Sequence, residues 1–122
     1  PVAVSSKVEG QLTSGGVGNV TRVFGQTEYE TSLEIAKFGL DHGMTASHSA
    51  LATGITFYDA LAGSALCGKV DSVLLIASDA NRVCVTDFIA SHRGDIEKGF
   101  VFGGPVAVSD SVWRTLMRSY YL

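Results

Sequence analysis

The segment Ser47-His48-Ser49 holds residue types that hydrolases and transferases use for catalysis. It directly precedes the start of a predicted helix, so its hydroxyl groups either cap free helix amides or lie beside amides that hold an anion or an oxyanion. A serine and a histidine that are adjacent in sequence need not face each other. Two interpretations therefore stay open, a helix cap and a catalytic role for Ser49 and His48.

A second candidate is the glycine-rich segment Gly15-Gly16-Val17-Gly18, which matches half of a phosphate-binding loop. Thr21 stands where a dinucleotide-binding loop has its third glycine, and no Lys-Ser or Lys-Thr pair follows to complete a nucleoside triphosphate loop. A flexible loop that needs positive φ is the alternative interpretation, and it is the one that we expect.

The two cysteines, Cys67 and Cys84, are not arranged as a metal site or a redox motif. Neither belongs to a CxxC pair, and no histidine lies at metal-ligand spacing from them. We expect two reduced thiols, with Cys84 in Val-Cys-Val as a small buried hydrophobic residue.

These candidates are positioned by a central unit that runs from Leu51 to Ala80. Apolar residues recur at helical spacing from Leu51 to Ala65 and predict a helix that ends near Gly68. The apolar run Val73–Ala77 then predicts a strand that is covered on both faces. The polar residues 78–82 leave this strand at its carboxyl end, where open α/β sheets place their ligands.

Further elements are predicted on both sides of this unit. The pattern Thr27-x-x-Glu30 predicts the start of a helix that ends at Gly43. The C-terminal segment 112–122 carries a broad apolar face, which we expect to dock on its own domain or on a second subunit. No internal repeat is expected. The remaining predictions are strands at 1–4, 20–24, 100–102 and 105–108 and loops at 5–19 and 91–99.

Composition excludes several classes of protein. Of the 122 residues, 46% are hydrophobic and 17% are charged, which is typical of a folded domain and not of a disordered tail. The net charge is −3 and the basic residues are scattered, so nucleic acid is not an expected partner. The sequence has no apolar run long enough to span a membrane and no secretory signal pattern, so no membrane partner is expected.

The segment 49–80 resembles the region that follows the nucleophile in the thiolase-like superfamily, in particular in ketoacyl synthase III and 3-hydroxy-3-methylglutaryl-CoA synthase. In that superfamily a helix starts at the reactive cysteine, and the buried strand after it ends in a pair such as Ser78-Asp79. The segments 30–36 and 94–109 are similar to an early helix and to a glycine-rich return strand of the same superfamily. The resemblance implies an α/β fold in which a thiolase-like half forms a mixed sheet with packed helices.

The function implied by this resemblance is an acyl-thioester condensing or acyl-transfer enzyme, or a fragment of one. Leu51 stands at the position of the cysteine, so Ser49 is the candidate nucleophile and His48 the candidate base or oxyanion donor, with amides near 51–53 as the oxyanion hole. Two alternatives are a non-catalytic thiolase-like partner subunit that forms a dimer interface, and a small serine hydrolase in which Ser47 or Ser49 acts with Lys7 or another base.

Residues 1–122 are therefore predicted to form a single α/β domain, with a fragment or a chain that lacks internal segments as alternatives. We expect no covalently bound cofactor, and a coenzyme A thioester as the substrate. The expected partners are this small-molecule thioester and further chains in a homo- or hetero-oligomer. The predicted location is the cytoplasm.

Overall fold

The structure is a computed structural model that describes residues 3–121. Within this range five helices and three strands alternate along most of the chain. In chain order they are α1 (Ser6–Ser14), α2 (Glu28–Asp41), β1 (Thr45–Thr53), α3 (Tyr58–Lys69), β2 (Ser72–Ala77), α4 (Val83–His92), β3 (Lys98–Phe102) and α5 (Asp110–Tyr121). No helix in the described range is long and apolar enough to cross a membrane.

The three strands form one parallel sheet in the order β2-β1-β3. β1 is central, and its Leu51 pairs in register with Leu75 of β2 on one side and with Val101 of β3 on the other. The α/β class is confirmed. The mixed sheet is not found in the described residues, because a helix crosses over between each pair of consecutive strands and returns the chain in the same direction.

One face of the sheet is covered by α2, α4 and α5, which together enclose the main hydrophobic core. Leu51 of β1 and Leu75 of β2 point into this core, where they meet Phe88 of α4 and Leu116 of α5. All four side chains are buried. Burial of such large aliphatic and aromatic groups is worth roughly 1.5–3 kcal/mol each, so this face contributes strongly to the stability of the fold.

The other face is covered by α3, which approaches the sheet through small residues. Gly63 and Cys67 are its buried positions, and the ring of Phe102 occupies the space where a Cβ on Gly63 would lie. The apolar spacing predicted a buried stripe through Tyr58 and Ala65, but both are exposed. Close packing of α3 requires the small side chains to face inward, so the larger ones point to solvent.

The helix α2 starts as its capping pattern predicts. The Glu30 amide donates to Thr27 Oγ1 at 3.2 Å, and Glu30 Oε2 accepts from the amide of Gln26 at 2.6 Å. Gly43 follows the helix with a φ of +99°, the left-handed conformation that glycine adopts without strain. The predicted end of this helix is therefore confirmed.

Several predicted boundaries are wrong. The helix expected from Leu51 begins at Tyr58, because residues 45–53 form the central strand. The loop expected at 5–19 contains α1, and the segments 20–24 and 105–108 are not strands. Of the strand predicted at 1–4, residues 1 and 2 lie outside the described range, and residues 3 and 4 form a bend.

Candidate functional site

The parallel strands bring three connecting segments to one edge of the sheet. β1 ends at Thr53, β2 at Ala77 and β3 at Phe102, so residues 54–57, 78–82 and 103–109 leave the sheet side by side. We call this the carboxyl edge. In open parallel sheets ligands bind in the crevice outside the carboxyl ends of the strands, so the carboxyl edge is the expected location of a binding site.

The turn after β1 is fixed by hydrogen bonds and by a close contact. The Gly54 amide donates to the carbonyl of Ala77 at 2.9 Å, and Thr53 Oγ1 accepts from the amide of Ile55 at 3.2 Å. The ring of Tyr29 lies where a side chain on residue 54 would be, so only glycine fits. The chain therefore leaves β1 in one direction and presents residues 55–58 at the edge.

A polar network joins the segment after β2 to the start of α5. Asp79 Oδ1 accepts from Ser109 Oγ at 2.6 Å, and Arg82 Nη1 lies 3.7 Å from the same oxygen. Ser109 Oγ also accepts from the amide of Val112 at 3.2 Å, which caps α5. Arg82 Nη1 donates to Ser111 Oγ at 3.1 Å. The Asp79 carboxylate and the two hydroxyl groups are thereby held in place at an accessible surface.

The segment after β3 is held against the start of α3. Gly103 has a φ of +108°, and a Cβ at this position would lie 2.7 Å from Asp59 Oδ2 and 2.8 Å from the Cβ of Ala107. A larger residue would therefore be strained and would collide with its neighbours. Asp59 lies in the first turn of α3, where the helix dipole favours a negative charge.

Exposed apolar side chains lie between the end of β1 and the first turns of α3. Phe57 and Tyr58 are about two-thirds exposed, and their ring centroids lie 4.4 Å apart at an angle of 39°. Ile55 and Leu61 beside them are also exposed. Exposed apolar groups concentrated in one place mark interaction sites.

The carboxyl edge presents hydroxyl groups, a carboxylate and a guanidinium group. Its charged side chains are Asp79 and Arg82, with Asp59 and Asp110 next to it in the first turns of α3 and α5, and it contains no histidine. Hydroxyl groups and carboxylates with an adjacent aromatic surface fit a ligand rich in hydroxyl groups.

Ser49 and His48 lie elsewhere, within the central strand. Ser49 Oγ donates to the carbonyl of Ala46 at 2.8 Å, and His48 Nδ1 lies 3.2 Å from Ser47 Oγ. Ser49 Oγ is hydrogen-bonded to the carbonyl of Ala46 and the His48 ring contacts Ser47, so no hydrogen bond joins Ser49 to His48. The prediction that Ser49 and His48 lie just before a helix is wrong, because both belong to β1. The reactivity of Ser49 stays a prediction.

The predicted oxyanion hole does not exist at residues 51–53. Each of these residues pairs with β2, and Leu51 and Ala52 also pair with β3, so their amides belong to a central strand and not to a free helix end. Ser49 lies on the wall of a cavity of about 350 Å³ between β3 and α5, and this cavity is lined mainly by apolar groups such as Phe100 and Trp113. Lys7, the base of the hydrolase alternative, lies on α1.

The other candidates from the sequence have structural explanations. Gly15 and Gly16 end α1, and Gly16 has a φ of +93°. Cys67 is buried and Cys84 is half-buried, and both are free thiols. Burial raises the pKa of Cys67, against a weaker opposing effect of a hydrogen bond with Ser72. Burial also raises the pKa of Cys84, and the charges of Glu30 and Asp87 raise it further.

Sequence reasoning identified Asp79 and Arg82 at the edge but missed Phe57, Asp59 and Ser109. A signal for Ser109 was present, because Ser-Asp before an apolar helical pattern is typical of a helix cap. Phe57 and Asp59 were missed because the helix was predicted to begin at Leu51, seven residues before its observed start at Tyr58.

Comparison with known proteins gives a consistent assignment. The family model described as "Cell wall binding domain 2 (CWB2)" matches residues 22–113. Among solved structures, Cwp8 from Clostridium difficile matches with a TM-score of 0.76 and 26% sequence identity. The match covers 97% of this chain and 18% of the Cwp8 chain, so this chain spans about a fifth of that protein. No curated protein sequence matches.

These matches overturn four predictions. The resemblance to the thiolase-like superfamily is wrong, because the family model and the structural match both point to a cell wall binding domain. The acyl-thioester function and its two alternatives, the thiolase-like partner subunit and the serine hydrolase, are wrong for the same reason. The predicted relation to acyltransferases and to coenzyme A is also wrong. A cytoplasmic location conflicts with a domain family of the cell wall.

Proposed function

Because this chain belongs to the cell wall binding domain 2 family, we propose that it is a non-catalytic module that attaches to the bacterial cell wall through the carboxyl edge of its sheet. The observation that carries the location of this site is the exposed ring pair Phe57 and Tyr58, held directly beside the carboxylate of Asp59. The proposed ligand is a hydroxyl-rich polymer of the wall.

The geometry of the edge supports a binding role. The rings are about two-thirds exposed at the start of α3, which lies close to Gly103 of the segment after β3. Aromatic side chains have only two rotatable side-chain torsions, so they lose little conformational entropy when a ligand packs on them. Sugar hydroxyl groups would donate to the carboxylates of Asp59 and Asp79, and such charge-assisted hydrogen bonds are stronger than neutral ones.

A sedimentation assay with isolated cell walls tests this proposal. The walls come from the bacterium that encodes the chain, and the fraction of protein that sediments with them is measured against wall concentration. The double variant Phe57→Ala with Tyr58→Ala should bind at least about tenfold more weakly, which corresponds to about 1.4 kcal/mol. Asp79→Asn should weaken binding less, because one charged acceptor is replaced by a neutral one.

The matched control is Tyr121→Ala. Tyr121 is also an exposed aromatic residue that contacts a neighbouring ring, but it lies at the end of α5, away from the carboxyl edge. Its removal should leave binding unchanged. If the native chain does not sediment with the walls, the proposed function is wrong. If Phe57 and Tyr58 can be removed without loss of binding, the function holds but the site is elsewhere.

Oligomer formation, expected from the sequence, remains a proposal. The outward face of α3 supports it, since Leu61 and Leu66 are exposed beside Tyr58. Sedimentation velocity over a range of concentrations gives the measurement. A mass that stays that of one chain at all concentrations contradicts self-association, and Leu61→Ser should abolish any association that is seen.

A further inference from the structure

The cavity beneath the edge strand β3 is separate from the carboxyl edge, because none of its lining residues belongs to that edge. Its volume of about 350 Å³ is within the range of small-ligand pockets. Leu75 of β2 lines its inner end and is 1% exposed, while Trp113 and Tyr121 of α5 line its opening and are 46% and 74% exposed. Two strand spacings separate β3 from β2, so the cavity reaches roughly 10 Å inward from the edge of the sheet.

Two small residues leave the space for this cavity. Ser49 of β1 and Gly99 of β3 are partners in register, and both line the cavity. Gly99 lies on the same face of β3 as Val101, the partner of the core residue Leu51, and a Cβ on Gly99 would have no atom within 4 Å. The φ of Gly99 is not in the left-handed region, so its backbone does not require glycine. The missing side chain therefore creates space and has no role in the backbone conformation.

The interior of the cavity suits an apolar group. Ser49 Oγ donates to the carbonyl of Ala46 at 2.8 Å, and the Tyr120 hydroxyl donates to the carbonyl of Ile96 at 3.2 Å. The hydrogen atoms of these two hydroxyl groups are thus already donated, and the inner wall is otherwise aliphatic. A buried polar group without a hydrogen-bond partner is unfavourable, so the inner part of a ligand has to be free of amide and hydroxyl groups.

Basic side chains lie near the opening. Lys98 lines the cavity and is exposed, with Nζ 5.1 Å from the ring centroid of Phe100. Arg114 is exposed on α5, three residues before the cavity residue Met117, and residues at this spacing are neighbours on a helix surface. Among the described residues, neither Lys98 nor Arg114 belongs to an ion pair. The lining also includes the carboxylate of Glu97, so two cations and one anion surround the opening.

We propose that this cavity binds a single-chain anionic amphiphile of the fatty acid type. Its alkyl chain lies beneath β3, and its charged head group lies at the opening beside Lys98 and Arg114. A chain that enters end-on fits the depth of the cavity. A peptide strand added to the free edge of β3 would lie about 4.8 Å outside that strand and would not reach the inner end at Leu75. The site is distinct from the carboxyl edge and does not depend on the function proposed for that edge.

The fluorescence of Trp113 tests this proposal, because the chain has one tryptophan and it lies at the opening. The 122-residue chain is titrated with decanoate and with octanoate below their micelle concentrations. Each CH₂ group that is buried contributes about 0.8 kcal/mol, or about fourfold in affinity, so octanoate should bind roughly 15-fold more weakly than decanoate. No response to decanoate overturns the proposal, and so does equal affinity for the two acids.

A variant that fills the cavity locates the binding site. Gly99→Leu should weaken the binding of decanoate at least about tenfold, while the urea midpoint stays unchanged or rises. Gly68→Leu is the matched control, because a Cβ at this position on α3 also has no atom within 4 Å. It should leave binding unchanged. If Gly99→Leu does not fold, Gly99→Ala should weaken binding at least about threefold. A folded variant at position 99 that binds like the native chain overturns the proposal.

The head group is tested with a neutral ligand of the same chain length. Lys98→Gln with Arg114→Gln should weaken the binding of decanoate at least about fivefold and leave that of 1-decanol unchanged. An equal loss for both ligands overturns the head-group assignment.

Two further results would assign the cavity to another occupant and overturn the proposal. One is displacement of decanoate by phosphatidylglycerol vesicles, which indicates a membrane lipid. The other is a dimer in sedimentation velocity that decanoate dissociates, which indicates a second copy of the chain. None of these measurements uses cell walls, so their failure is distinguishable from failure of the proposed function.

Discussion

The two faces of the sheet are covered in different ways. On one face α2, α4 and α5 enclose large apolar side chains, with Leu75, Phe88 and Leu116 among them. On the other face α3 packs closely through Gly63 and Cys67 and leaves larger apolar side chains outside. The first face makes the fold stable, and the second keeps an apolar surface available next to the carboxyl edge. The main core and the surface proposed for binding therefore lie on opposite sides of one small sheet.

The largest effect is expected on the three-helix face. Leu116→Ala removes most of a side chain that is 5% exposed and leaves a cavity in the core. The free energy of unfolding should fall by about 2–5 kcal/mol. Urea denaturation followed by circular dichroism measures it. A loss below about 1 kcal/mol would show that α5 is not part of the main core.

A smaller effect is expected where α3 meets the sheet. Gly63→Ala places a methyl group inside the ring of Phe102, and the ring or the helix must move. The free energy of unfolding should fall by about 1–3 kcal/mol. Gly68→Ala in the same helix is the matched control, because no atom lies within 4 Å of the added Cβ. It should stabilise the chain by up to about 1 kcal/mol, so equal effects of the two changes would contradict the close packing of α3.

The buried thiol on the α3 face predicts a loss of stability at alkaline pH. Burial raises the pKa of Cys67, so the unfolded thiol ionises first as pH rises. The neutral thiol contributes fully to the free energy of unfolding below about pH 8.5, the pKa of an unperturbed thiol. This stability is lost as the pH rises through the raised pKa of the folded state. Urea midpoints measured from pH 7 to pH 10 should fall less steeply for Cys67→Ser than for the native chain. Parallel curves would contradict a buried thiol.

The smallest effect is expected on the outer surface of α3. Leu61→Ala changes the same residue type as Leu116→Ala, but the side chain is 66% exposed. The free energy of unfolding should change by no more than about 0.5 kcal/mol. A loss comparable to that of Leu116→Ala would mean that the outer face of α3 is covered, and the contrast between the two faces would disappear.

The features that were predicted correctly depend on neighbouring residues. The capping pattern of Thr27 and Glu30 is a local hydrogen-bond arrangement, and the run Val73–Ala77 is too apolar to be anything but buried. The helix from Leu51 was wrong because one apolar spacing continues through a strand, a turn and a helix. β1 is buried on both faces, so its residues show no alternation that would distinguish a strand.

The site was predicted only in part for a related reason. Asp79 and Arg82 follow a strand that the sequence reveals, and they were placed at the edge correctly. Ser49 and His48 were misplaced together with the helix to which they were assigned. The thiolase-like resemblance followed from the order of a helix, a glycine and a buried strand, which many α/β proteins share.

By itself the sequence determined the start of α2, the buried strand β2 and the polar exit from it, because each depends on residues within one helical turn or one strand. Only the tertiary structure decided that Phe57, Asp59 and Ser109 lie near the same edge of the sheet and that the larger side chains of α3 face solvent. The three strand ends reach the same edge only because β1 pairs with both neighbours, with Leu51 opposite Leu75 and Val101. Such pairing depends on how distant segments pack together, and no local pattern encodes it.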